Sequence, residues 1–99
     1  MIFVFHLTDK PDSGHIRTRV RPEHKAYLGL QAERMAFAGP LTSDDGATMI
    51  GSLLAIDFPD RAAAESWLAN EPFTKAGLYG AVSIHAFNNL WPQKVGFPA

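Results

Sequence analysis

Three stretches of the chain are apolar at nearly every position, and each is bounded by residues that favour turns. They are residues 2–7 (IFVFHL), 49–58 (MIGSLLAIDF) and 81–87 (AVSIHAF). β-Branched and aromatic side chains in runs of this length are typical of strands. A shorter strand is predicted at residues 37–40 (FAGP), where Gly39 and Pro40 also stop the helical pattern that precedes them.

Two other segments place apolar residues at helical spacing. The first begins at Pro22, which suits the first position of a helix, and its inward stripe is His24, Leu28, Gln31 and Met35. The second lies within residues 59–70 (PDRAAAESWLAN), with Asp60 as its N-terminal cap. A further short helical turn is predicted from Pro72, which places Glu71 at its cap position.

The predicted order of elements is β-α-β-β-α-β, which is the ferredoxin-like arrangement of an α+β protein. Two helices can cover one face of a four-stranded sheet. In the strand from residue 49, however, both alternating sets of side chains are apolar: Ile50, Leu54 and Ile56 on one face, and Met49, Leu53 and Ala55 on the other. We therefore expect a homodimer in which the second face of the sheet packs on the same face of another copy.

Composition narrows the class of protein. Ninety-nine residues, 46% of them apolar and 19% charged, predict a single globular domain over residues 1–99. The chain has no cysteine, which excludes disulfides and thiolate sites, and its net charge of −1 argues against nucleic acid as a partner. The apolar N-terminus is too short for a signal peptide or a membrane span. We expect a cytoplasmic protein without membrane contact.

His24 is the first candidate for chemistry. If the helix begins at Pro22, His24 is its third residue and points inward. The positive end of the helix dipole disfavours imidazolium, so the ring stays neutral and can accept a proton near pH 7 as a general base. The alternative is a partly buried histidine that bonds to the backbone, and the sequence leaves both open.

Two carboxylates compete to orient that histidine. Asp9 follows the first strand and could fix the tautomer of His24, although an aspartate beside proline is as often a turn residue. Glu71 takes the cap position of the short helix, where aspartate or asparagine would be a better cap. A poor cap residue indicates either that Glu71 has another role or that the position has changed by neutral drift.

Substrate contacts are predicted from the arginines and aromatic residues. If residues 17–21 are extended, Arg17, Arg19 and Arg21 point the same way. A solvated charge run is the more common explanation of such a cluster, and the alternative is a clamp for an anionic substrate oxygen. Four aromatic residues could wall a pocket or simply fill the core: Phe73, Tyr79, Phe87 and Trp91. We assign substrate binding to Arg17, Arg21, Glu71 and Phe73. The histidines lack metal-ligand spacing, and no nucleotide or flavin motif occurs, so we expect neither metal nor cofactor.

Taken together, these residues resemble the YCII-related proteins. The matching pieces are Asp9-Lys10 at the end of the first strand, Arg21-Pro22-x-His24, Ala38-Gly39-Pro40 and Glu71-Pro72-Phe73. The resemblance covers nearly the whole chain and implies a dimeric α+β barrel of ferredoxin-like subunits. It also implies a histidine–aspartate dyad, for which His24 and Asp9 stand at the matching positions. The family usually has aspartate where this chain has Glu71.

The resemblance also implies a reaction class. Relatives eliminate HCl from a chlorinated hydroquinone, and the wider fold family includes muconolactone isomerases and chloromuconolactone dehalogenases. All move one proton on a small oxygenated ring without a cofactor. We therefore predict a cofactor-independent proton-transfer enzyme, a lyase or dehydrochlorinase in aromatic degradation, with His24 as general base. The alternative is a non-catalytic small-molecule-binding or accessory dimer.

Overall fold

Four antiparallel strands form one sheet, with the helices packed on one of its faces. The structure is a computed structural model that describes residues 1–91. The elements are β1 (Ile2–Asp9), α1 (Gly14–Gly29), β2 (Met35–Thr42), β3 (Met49–Asp57), α2 (Arg61–Ala69), α3 (Pro72–Lys75) and β4 (Tyr79–Phe87). The strand order is β2-β3-β1-β4, which confirms the predicted ferredoxin-like fold.

The first helix differs from its prediction at both ends. Helix α1 begins at Gly14 and ends at Gly29, and Pro22 lies inside it. Asp12 takes a left-handed φ of 58°, which aspartate tolerates, so the chain turns just before the helix. The chain then folds into a short 3₁₀ turn, Ala32–Arg34, before β2. His24 therefore lies in the second half of α1, and the argument that the N-terminal dipole keeps it neutral is wrong, because that effect fades after the first turn.

Tertiary packing explains why α1 extends through a polar stretch. Val20 is buried in a small cluster with Phe73 and Leu78, and Ile16 packs against it. Pro22 has no N–H to donate to the carbonyl of the residue four positions earlier, which is a real cost to a helix. Burial of the apolar side chains against α3 and the following loop offsets that cost.

The second helix follows its prediction closely. The carboxylate of Asp60 accepts the backbone N–H of Ala63 at 2.8 Å and caps α2. Trp67 and Leu68 are buried against the sheet together with Phe5 and Phe58. The Asp60 cap and the apolar face are both encoded in the local sequence, and together they specify this helix.

The register of the strands separates two faces of the sheet. Phe5 pairs with Leu54 on one side and with Ile84 on the other, and these side chains face the helices. The neighbouring residue Val4 pairs with Ala55 and His85, so its row lies on the opposite face. The helices cover the first face only.

The second face of the sheet, which we call the open face, is largely apolar. Its apolar members by register include Ile2, Val4, Phe37, Leu41, Leu53, Ala55 and Phe87. The same register places His6, Thr8, Ser83 and His85 on this face. Phe87 is 44% exposed. The predicted homodimer would cover this face and stays a prediction.

Two further features of the fold bear on the predictions. At Gly51 in β3, an added Cβ would overlap the backbone carbonyl oxygen of Leu7 in β1, so only glycine permits this close approach. Within residues 1–91, no helix has the length and hydropathy needed to cross a membrane.

Candidate active site

A buried histidine–glutamate pair lies between α1 and α3. Nδ1 of His24 is 2.5 Å from Oε1 of Glu71. His24 is 8% exposed and Glu71 is fully buried. A hydrogen bond to a carboxylate in such surroundings is stronger than one between neutral groups, because little water competes for it. The pair therefore fixes the position of the imidazole.

The carboxylate of Glu71 accepts three hydrogen bonds. Its Oε1 receives the His24 bond and the backbone N–H of Phe73 at 3.1 Å, and its Oε2 receives the hydroxyl of Tyr79 at 3.0 Å. The Phe73 N–H and the Tyr79 hydroxyl both donate to this carboxyl group, and with an ionised carboxylate the shared proton lies on Nδ1 of His24. The other ring nitrogen, Nε2, then carries the lone pair. This is the tautomer that a general base requires.

Local sequence places Glu71 at this point. Pro72 occupies the first turn of α3, and Glu71 takes the extended backbone of an N-cap, with φ of −71° and ψ of 135°. Its side chain caps the helix through the N–H of Phe73 while its other contacts reach across to His24 and Tyr79. The longer side chain that makes glutamate an indifferent cap is what allows this reach.

Tyr79 remains a hydrogen-bond donor at neutral and moderately alkaline pH. Burial and the nearby negative charge of Glu71 raise the pKa of Tyr79 well above its usual range. Both causes act against tyrosinate, because it would be a second buried anion beside the first. The pKa of Tyr27 is raised in the same way, first by burial and then by Glu71.

A second ion pair lies close to the first. Nε of Arg17 donates to Oδ2 of Asp9 at 2.7 Å, and Nη2 donates to Oδ1 at 2.9 Å and to the Ser52 hydroxyl at 3.2 Å. Arg17 is 6% exposed. Both oxygens of Asp9 are thus bound by Arg17. The prediction that Asp9 orients His24 is wrong, and the carboxylate that performs this task is Glu71.

A small cavity opens beside His24, between α1 and the β2–β3 hairpin. Its volume is about 180 Å³. From α1 it is lined by Arg17, Arg21, His24, Lys25 and Leu28, and from the strands by Ala38, Gly39, Pro40, Met49, Ser52 and Leu54. The residues of α1 recur at intervals of three and four, so they share one face of the helix. The site therefore combines one imidazole, several cations and an apolar wall.

Of the four predicted substrate-binding residues, two line the cavity and two do not. Arg17 and Arg21 line the cavity through helical spacing, so the prediction of an extended segment is wrong, and Arg19 is exposed elsewhere on α1. Glu71 and Phe73 are fully buried behind His24. Trp91 is 88% exposed and, like Phe87, does not line this cavity.

Two further residues of the cavity are functional candidates that the sequence alone does not reveal. Lys25 and Ser52 line the cavity, and neither was singled out. Lys25 lies one helical turn after Arg21, a spacing that would have revealed it had α1 been placed correctly. Ser52 carries no comparable signal, because its role depends on the register of β3.

Comparisons with known proteins give matches over most of the chain. The family model of the YCII-related domain matches residues 1–88. Protein YciI of Escherichia coli is 35% identical over 98 residues, covering 92% of this chain and all of that protein. An uncharacterised protein of Haemophilus influenzae is 34% identical over the same shares.

A solved structure is similar as well. It is the 5-chloro-2-hydroxyhydroquinone dehydrochlorinase of Burkholderia phenoliruptrix in complex with 2,5-dihydroxybenzoquinone, with a TM-score of 0.83 and 30% identity. The match covers 89% of this chain and 94% of that one. That protein is named as an enzyme, and its structure contains a small oxygenated ring compound.

Proposed function

The chain belongs to the YCII-related domain family, and on that premise we propose that it is a cofactor-independent proton-transfer enzyme acting on a small cyclic or aromatic compound. One observation carries the proposal. His24 lines a cavity while its Nδ1 is held by the buried carboxylate of Glu71. This arrangement directs the lone pair of Nε2 to a ligand and stabilises the imidazolium that forms when a proton is taken up.

The size of the cavity supports a single-ring substrate. A cavity of about 150 Å³ in another protein is known to hold benzene, and the one beside His24 is about 180 Å³. Leu28, Pro40 and Leu54 offer an apolar surface for the ring. Ring oxygens would then lie near His24 and the cations of α1.

The finer form of the proposal is elimination of HCl from a chlorinated hydroquinone in aromatic degradation. In the keto tautomer of the ring, whose chlorine is on an sp3 carbon, His24 accepts the proton of an enol hydroxyl. The O–H electron pair forms the new carbonyl bond, and the adjacent C=C pair shifts toward the carbon that bears chlorine. The C–Cl bond breaks, and chloride leaves with the bonding pair. The product is a quinone, the net loss is H⁺ and Cl⁻, and no external oxidant is needed. The name of the dehydrochlorinase and its bound benzoquinone support this assignment.

The working form that we propose is a homodimer joined through the open face. Apolar side chains in neighbouring rows of that face, including Val4 and Leu53, are covered by no helix, and contiguous apolar surface of this kind commonly marks an interface between proteins. Light scattering should give twice the 10.8 kDa of one chain. Leu53→Lys should give a monomer, and Ala62→Lys on the exposed side of α2 should not. A wild-type mass of one chain would contradict the dimer.

A substrate panel tests the activity. Hydroquinones and lactones, each with and without chlorine, are incubated with the protein, and halide release and ring absorbance are followed. We expect turnover of at least one chlorinated ring, a loss of about 100- to 10,000-fold in Glu71→Gln through the wrong tautomer or lost charge, and none in the exposed control His15→Asn. Tight binding of ring compounds without any turnover would contradict the proposal and favour a binding protein.

A further inference from the structure

The cations that line the cavity are not equivalent. Arg17 is neutralised, because both of its bonds to Asp9 are short and buried. Arg21 and Lys25 take part in no ion pair within residues 1–91. They are one helical turn apart on the same face of α1 as His24.

Among residues 1–91, no acidic side chain lines the cavity to balance these charges. The one acidic residue of α1, Glu23, lines a groove on another side of the helix with Tyr27 and Lys75. The acidic partner of His24, Glu71, lies behind the imidazole, is fully buried and is not part of the lining. Arg21 and Lys25 are both exposed side chains, so in the part of the chain that the structure describes a ligand in the cavity meets two positive charges with no acidic side chain beside them.

The space around Arg21 allows a substituent beyond the ring. Arg17, Arg21 and Met49 line both the cavity and an adjoining groove, whose other walls are Gly14, Thr18, Ala47 and Thr48. A ring against Leu28 and Leu54 would therefore place a substituent of moderate size beside Arg21.

We propose that the substrate carries a carboxylate group, bound by Arg21 and Lys25, in addition to the ring that His24 deprotonates; this rests on the proposed function. A ring hydroxyl near His24 becomes an anion only during the reaction. The two uncompensated cations instead suit a group that is an anion before, during and after the reaction. A carboxylate meets this condition, because it is ionised at pH 7. The guanidinium of Arg21 can bind both carboxylate oxygens, and Lys25 adds a point charge.

Two ligands that differ in one group test the proposal. 2,5-Dihydroxybenzoate and 2,5-dihydroxybenzyl alcohol share a ring and differ in carboxylate against neutral hydroxymethyl. Calorimetric titration of the full chain should show at least about tenfold tighter binding of the acid, the effect of one charged hydrogen bond. Arg21→Met and Lys25→Met should each remove most of that difference, and Arg21→Lys should retain much of it.

The controls separate a specific site from a diffuse field. Arg19→Met removes an exposed cation of the same helix away from the cavity, and it should leave the preference unchanged. Equal affinities for the two ligands would overturn the proposal, and so would an Arg19→Met effect as large as that of Arg21→Met. Thermal melting confirms that each variant is folded.

The binding preference for the acid can be measured whether or not the protein turns over any ring compound. His24→Asn should keep the preference for the acid, because the cations are untouched. A preference for the acid without turnover of any ring would support this inference and contradict the role of His24 as a base. Turnover of neutral chlorinated rings with no preference for the acid would support that role and overturn this inference.

Discussion

The ring of Phe73 lies almost parallel to the imidazole of His24, with 4.0 Å between ring centroids and 16° between the planes. The guanidinium carbon of Arg17 lies 4.8 Å from the centroid of the same phenyl ring. Because Glu71 and Phe73 are separated by one residue in the chain, the start of α3 holds His24 both through the carboxylate and through the ring face. Two buried ion pairs thus meet around one aromatic side chain.

The hydroxyl of Tyr79 should contribute to turnover without touching substrate. Tyr79→Phe removes the donor to Oε2 of Glu71, so the carboxylate loses part of its anchoring. We expect kcat to fall about three- to tenfold with KM little changed, corresponding to part of one charged hydrogen bond. Tyr27→Phe is the control, since that hydroxyl donates to the backbone oxygen of Trp67. Equal kcat losses in both variants would point to general destabilisation.

Stability should decline in alkaline solution because of the same tyrosine. The pKa of Tyr79 is raised in the folded protein, so the folded chain keeps a proton that the unfolded chain releases near pH 10. The stabilisation is therefore fully present below about pH 10 and is lost as the pH rises above that value. Denaturant unfolding at a series of pH values should show a shallower decline in Tyr79→Phe. A decline equal to that of the wild type would contradict this origin.

The Asp9–Arg17 ion pair should contribute to the free energy of unfolding. Breaking a buried ion pair from one side leaves an uncompensated charge and costs about 3–5 kcal/mol. Asp9→Asn and Arg17→Met should each lower the free energy of unfolding strongly, and the double variant should lose less than the two single losses combined. Denaturant titration of the four proteins measures the coupling. Additive losses would show that the two side chains act separately.

Gly51 should be intolerant of any side chain. A methyl group there meets the backbone oxygen of Leu7, and backbone cannot move aside as a side chain can. Gly51→Ala should cost about 3 kcal/mol or more and weaken the β1–β3 pairing. At Gly39, an added Cβ has nothing within 4 Å, so Gly39→Ala is the matched control and should be nearly neutral in a melting experiment.

Most of the fold could be predicted from local sequence, because the apolar runs, Asp60 and Pro72 act on their own neighbours. The start of α1 could not. Residues 14–21 are mostly polar or basic, and their helix depends on contacts of Val20 with Phe73 and Leu78. Because the sequence predicts that this helix begins at Pro22, Arg17 and Arg21 lie outside the predicted helix, and the one-turn spacing between Arg21 and Lys25 cannot be recognised.

Only part of the candidate site could be predicted from the sequence, because the rest depends on contacts between distant segments. His24 and Glu71 were both identified, yet the choice between Asp9 and Glu71 as the orienting carboxylate depends on distances between segments far apart in the chain. Arg17 decides it by binding both oxygens of Asp9. Sequence spacing carries no information on that competition.

Replacement of His24 by asparagine tests the central claim most directly. Asparagine can keep an amide donor toward Glu71 while it removes Nε2, so the fold and the ligand cavity are preserved and only the base is lost. With the substrate identified by the panel, the account predicts a kcat lower by about 100- to 10,000-fold than that of the wild type, with ligand affinity and melting temperature close to the wild-type values. A kcat near that of the wild type would contradict the account, since His24 would then be a structural residue.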